Sequence, residues 1–132
     1  MKKSEKKMLV EQLCHRCSWC GCRIQDRQSE RIVLKNSEDI TPERFWAEIE
    51  NQLSGYQGLG IPLTIPLLEE DILAYVFTYH SEEFESGYDL GFLLCGEECE
   101  RELNKVFKKG GLYFDESRLF DILERIYFEK FG

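Results

Sequence analysis

Six cysteines occur in 132 residues, and four of them, Cys14, Cys17, Cys20 and Cys22, fall within nine positions. The other two close the distant segment Cys95-Gly96-Glu97-Glu98-Cys99. Two short segments that each present two sulfurs, one pair spaced x2 and one spaced x3, are what a tetrahedral metal site needs, and a set of four cysteines points to one structural zinc. Any fold for this chain must therefore bring the region of residues 17–20 against residues 95–99.

Disulfides would impose a similar constraint in an exported protein. The opening Met1 to Leu13 is rich in lysine and has neither an apolar stretch nor a small-residue cleavage site, so the chain is expected in the cytosol, where thiols stay reduced. No run approaches the roughly 18 apolar residues of a membrane span. An apolar fraction of 42% suits one globular domain over residues 1–132, small enough for a metal staple to matter.

Local chemistry ranks the cysteines. Cys17-Ser18-Trp19-Cys20-Gly21 has the form of a zinc knuckle: a tight turn converges two sulfurs, and Gly21 takes the backbone conformation that a side chain resists. Cys14 and Cys17 make a poorer pair, because Ser18 follows where glycine serves the turn. Cys22 lies only two positions past Cys20, a spacing that strains two sulfurs on one ion. The expected ligands are thus Cys17, Cys20, Cys95 and Cys99, with Cys14 and Cys22 as small buried apolar residues.

The rest of the chain reads as α+β, with a small antiparallel sheet and about three helices. Residues 1–13 form a short helix or a basic arm. Arg31–Lys35 is a strand joined to a later hairpin. Thr41 is placed to cap a helix with Pro42 at its first position, an Ile40/Phe45 staple, and Phe45, Trp46, Ile49 and Leu53 on one face. Glycines and prolines mark residues 54–68 as irregular. Ile72–His80 and Tyr88–Leu94 read as buried strands joined through an acidic tip at residues 81–87. A helix runs from Glu97 to about Lys108 and ends at Gly110-Gly111; a last one opens at Asp115 and carries Leu119, Phe120, Ile122, Leu123, Ile126, Tyr127 and Phe131.

Knuckle, strands, then a helix opening in Cys-x3-Cys resembles a treble-clef zinc finger. The likeness lies in Cys17-Ser18-Trp19-Cys20-Gly21 and in Phe92-Leu93-Leu94-Cys95-Gly96-Glu97-Glu98-Cys99, and it is similar to the branch with TRASH-like and MYM-type fingers and the small bacterial DNA gyrase inhibitor finger. Gly96 stands where that branch commonly has serine, and 74 residues separate Cys20 from Cys95, far more than in compact members. The resemblance implies ligation by the same four cysteines, with residues 23–94 as an insert. An iron-sulfur cluster also uses four cysteines, but the Cys-x3-Cys-Pro continuation is missing. A two-zinc, six-cysteine cluster is the remaining alternative.

Four sulfurs fill every position of a tetrahedral zinc and leave no water to activate. Only His15 and His80 occur, and no glycine-rich phosphate loop is present, so no enzymatic activity is expected. Charge is uneven. Residues 1–35 hold nine Lys or Arg against four acids (+5), and the remainder holds eight against twenty-one (−13). An acidic body repels a phosphate backbone and suits a basic protein as partner, which an inhibitor, immunity or adaptor protein would bind. The alternative is a nucleic-acid finger using Lys2, Lys3, Lys6, Lys7, Arg16, Arg23, Arg27 and Arg31.

Overall fold

The computed structural model describes residues 3–24, 30–126 and 128. Along them run α1 (Lys3–Gln12), β1 (Arg31–Lys35), α2 (Ser37–Ile40), α3 (Trp46–Leu53), β2 (Gly60–Ile65), β3 (Glu70–Val76), α4 (Glu82–Glu85), β4 (Leu90–Leu94), α5 (Glu97–Lys109) and α6 (Leu119–Arg125). The fold is α+β, with six helices among the described residues instead of about three; α2 and α4 are single turns. All four strands form one antiparallel sheet in the order β1-β4-β3-β2.

Strands β3 and β4 read as unbroken apolar runs because both faces of the sheet are covered. Ile72, Ala74, Val76, Phe92 and Leu94 pack with Ile49 and Leu53 of α3 and Leu103 and Val106 of α5. Leu73, Tyr75, Phe77 and Leu93 pack the other way, with Leu9 of α1, Leu13, and Ile122 of α6. Gly91 leaves room for α1 and for Phe77: a Cβ there would stand 2.8 Å from Leu9 Cδ1 and 2.9 Å from Phe77 Cζ. Arg31–Lys35 is the strand expected, paired with β4 from Arg31↔Leu94 to Lys35↔Leu90.

Two readings of the sequence are corrected. Residues 54–68 are not an irregular loop, since Gly60–Ile65 is an edge strand whose Ile61, Leu63 and Ile65 are buried. Its Pro62 has no N–H to give, which an edge strand tolerates. The outer edge of β2 meets one short bridge, in which Thr64 and Tyr113 exchange N–H···O bonds of 2.8 and 3.0 Å. The second correction concerns Thr41, which is not an N-cap. It closes α2 in extended conformation, Glu43–Phe45 is a 3-10 turn, and α3 begins at Trp46. Instead of capping, Thr41 accepts a 2.8 Å bond at its carbonyl from Trp46 Nε1, and its buried hydroxyl has no partner among the described residues.

The strand expected to reach His80 stops at Val76. Beyond it the acidic tip is the helical turn α4, capped by Ser81 Oγ accepting from Phe84 N at 3.2 Å. At the C-terminal end, Asp115 caps the 3-10 turn Glu116–Arg118 that leads into α6. Lys2, Arg27, Tyr127 and Phe131 lie outside the described residues. Among those described, no helix is long and apolar enough to cross a membrane.

Candidate metal centre

Residues 15–24 fold back on themselves as a miniature hairpin. Cys17 N donates to Cys22 O at 2.9 Å, Ile24 N donates to His15 O at 2.8 Å, and Arg16 faces Arg23 across a bridge. At its tip Cys20 N donates to Cys17 Sγ at 3.5 Å, Gly21 N donates to Cys17 O at 2.9 Å, and Gly21 takes φ 79°. This is the tight turn, with Gly21 in the left-handed region, expected of a knuckle. Cys14 and His15, both left-handed at φ 60° and 55°, reverse the chain between α1 and the hairpin.

One backbone bond docks the hairpin on the sheet: Ser18 N donates to Leu93 O at 2.6 Å. The end of β4 is thereby held beside the knuckle, and β4 runs directly into Cys95. Gly96 then opens α5 in fully extended conformation, and Cys99 sits on the first turn of that helix. The electropositive N-terminus of α5 favours thiolate at both positions. Cys17 is fully buried in the apolar cluster beneath α5, and Trp19, Cys95 and Cys99 pack against the same cluster.

The four sulfurs of Cys17, Cys20, Cys95 and Cys99 all lie within 4.8 Å of one another. A zinc ion with bonds of about 2.3 Å has tetrahedral edges of about 3.8 Å. Cys20 Sγ to Cys95 Sγ is 3.7 Å and Cys95 Sγ to Cys99 Sγ is 3.5 Å, so these edges already have the length a metal requires. The residues present fit a four-sulfur metal ion, and among the described residues no other Cys, His or carboxylate group clusters this way.

Without metal, the sulfurs compete for protons. Burial pushes the thiols of Cys95 and Cys99 up to about 12 from an ordinary 9.0. Burial also acts against Cys20, but hydrogen bonds from the Cys22 backbone and from the thiols of Cys22, Cys17 and Cys95 outweigh it and bring Cys20 down to about 7. Cys20 is thus ready as thiolate near neutrality, and Cys95 and Cys99 ionise only when a cation displaces their protons.

Of the two cysteines set aside on spacing, Cys14 is half-buried, but Cys22 departs from the expectation of a buried apolar residue. It is exposed, and burial together with the neighbouring Cys20 and Cys95 raises its thiol to about 12, although it stands outside the four mutually close sulfurs. Its two-residue offset from Cys20 describes how poorly the two share one ion and is silent about the hairpin that sets Cys22 opposite Cys17. Both histidines are exposed and neither belongs to the cluster. Compared with known proteins, the chain matches no family model, no curated protein and no solved structure.

Proposed function

We propose that this is a zinc-stabilised, non-catalytic protein of treble-clef type that binds a basic protein in a reducing compartment, as an inhibitor, immunity or adaptor protein. The observation that carries the zinc reading is the pair of sulfur separations, 3.7 and 3.5 Å, matched to a tetrahedral edge. Zinc is the ion for which such a set is closed, and its contribution is to hold the knuckle, β4 and α5 at one corner. Cys17, Cys20, Cys95 and Cys99 hold it. With every coordination position taken by sulfur, no bound water remains for hydrolysis.

Partner choice follows from charge. Residues 36–132 carry eight cationic and twenty-one anionic side chains. The basic N-terminal third, on which a nucleic-acid reading would rest, is partly neutralised: Lys6 pairs with Glu30 at 3.0 Å and Arg31 with Glu100 at 3.0 Å. A field of this sign steers a cationic surface, weakens with salt, and repels phosphate. Tagged protein incubated with host extract at low and at high salt is expected to retain a basic protein only at low salt. If no protein is retained at low salt, the partner reading fails; if short DNA or RNA shifts in a gel at micromolar protein, nucleic-acid binding replaces it.

A further inference from the structure

A cavity of about 290 Å3 opens where α2, α3, the end of β3 and the segment from α4 to β4 meet. Its walls combine two chemistries. Tyr79, Phe84 and Tyr88 supply aromatic faces, with the rings of Tyr79 and Phe84 4.7 Å apart and the two tyrosines 47% and 39% exposed. Glu38, Glu50 and Asp89 supply carboxylates, and among the described residues no Lys, Arg or His lines the cavity.

Much of the polar backbone and amide lining is already engaged, which leaves the carboxylates as the groups open to a ligand. Asn36 Nδ2 donates to Gly87 O at 2.8 Å, Gln57 Nε2 donates to Ser54 O at 3.2 Å, and Gln57 Oε1 accepts from Tyr79 N at 2.8 Å. Asp89 accepts from Ser37 N at 2.6 Å and from Ser37 Oγ at 2.5 Å, which fixes its carboxylate at the wall. The side chains of Glu38 and Glu50 have no partner among the described residues. Burial raises the Asp89 carboxyl above the ordinary carboxylate range against the Ser37 bonds, and the negative charge of Glu50 raises it further, so the two acids repel across the space.

A cation placed between them relieves that repulsion, and aromatic faces beside it add the attraction of a ring quadrupole for positive charge. The volume lies at the small end of ligand cavities and fits one side chain better than a larger molecule. A planar guanidinium can stack on tyrosine while it donates to two carboxylates, which an ammonium does less well. We propose that this cavity receives an arginine side chain presented by a basic protein partner. The inference rests on the partner reading above and gives it an address.

The test uses the full zinc-loaded chain and a hexa-arginine peptide, with hexa-citrulline as its uncharged isostere, followed by NMR titration at low salt. Hexa-arginine is expected to shift the amides of residues 36–38 and 87–89, and hexa-citrulline to leave them unmoved. Glu50→Gln, an exposed position, and Tyr79→Ala, which changes no charge, should each raise Kd at least fivefold. Glu124→Gln, which removes one negative charge outside the cavity, should raise it less than twofold. Equal weakening by Glu50→Gln and Glu124→Gln, an unaffected Tyr79→Ala, or binding of hexa-citrulline would overturn the assignment. The two readings fail separately. A partner captured from extract equally by the wild type and by Glu50→Gln removes the cavity and leaves the partner; peptide behaviour as described with no captured protein removes the partner and leaves the cavity.

Discussion

At the scale of single residues, the sulfurs differ in what they are expected to do. Cys17 is fully buried and Cys99 is fixed on a helix, so neither has a substitute, and Cys17→Ser or Cys99→Ser is expected to leave less than a tenth of one zinc per chain by elemental analysis. Cys22→Ser is expected to keep the full ion, since Cys22 stands outside the four mutually close sulfurs. Full zinc in Cys17→Ser would contradict the assignment. Proton linkage adds a second prediction. In the metal-free fold Cys95 and Cys99 are raised to about 12, so the stability they lend is whole below an ordinary thiol value of 9.0 and drains as pH climbs toward 12. Cys20, lowered to about 7, lends stability that is whole above 9 and is lost as pH falls through 7, so it is constant in the alkaline window. Between about pH 9 and about pH 11 the metal-free protein should therefore lose Tm faster than the zinc-loaded protein, in which the ligand sulfurs are already ionised. Parallel declines in paired thermal melts would refute this.

At the scale of elements, the clearest single-residue hinge is the end of α5. Gly110 N and Gly111 N both donate to Val106 O at 3.2 Å, and Gly111 takes φ 70° with the space for a Cβ closed by the carbonyl oxygen of Ile40. Gly111→Ala is expected to cost about 1–3 kcal/mol in denaturant unfolding, from the left-handed backbone together with that clash. A change below a few tenths would show that the chain there re-routes freely. The same helix shows what could be read beforehand. Glu97, Glu98 and Glu100 in its first turn and Lys108 and Lys109 in its last complement the helix dipole, and Leu103 and Val106 mark its inner face, so its limits were visible in the residues. Strands β3 and β4 were visible as apolar runs for a related reason, since helices cover both faces. Strand β2 was hidden because Gly58, Gly60, Pro62 and Pro66 are turn residues in isolation, and only its place at the sheet edge makes Pro62 admissible. Thr41 misled because Thr-Pro has the chemistry of a helix start, while tertiary packing draws the Thr41 carbonyl to Trp46 and moves the start of α3 four residues on. The four clustered cysteines were legible from spacing together with Gly21, which favours Cys17 and Cys20 over the equally spaced Cys14 and Cys17; the position of Cys22 beside them depends on the hairpin closing, which spacing does not encode.

At the scale of the whole molecule, the four-cysteine corner joins two stretches separated by most of the chain. A clip between Cys20 and Cys95 closes a loop of roughly 75 residues, and if it acts like a covalent cross-link it lowers the entropy of the unfolded chain by an amount worth roughly 4 kcal/mol. For a chain of this length that corresponds to a fall in Tm of roughly 10–20 °C when the metal is removed. The clip does not hold the fold alone. The cluster of Leu9, Leu13, Tyr75, Phe77, Leu93 and Ile122 contains no sulfur ligand, and of the opposite cluster's seventeen buried members only Cys17 is one. Chelation should therefore melt the corner before the body: amide protection is expected to vanish over residues 15–24 and the first turn of α5 while it persists in β3 and β4. Hydrogen exchange with and without a chelator, read by mass spectrometry, checks this. Loss of protection throughout β3 and β4 at once would mean that zinc nucleates the entire fold, and unchanged protection at residues 15–24 would mean that Ser18 N to Leu93 O and its neighbouring backbone bonds secure the knuckle without the ion.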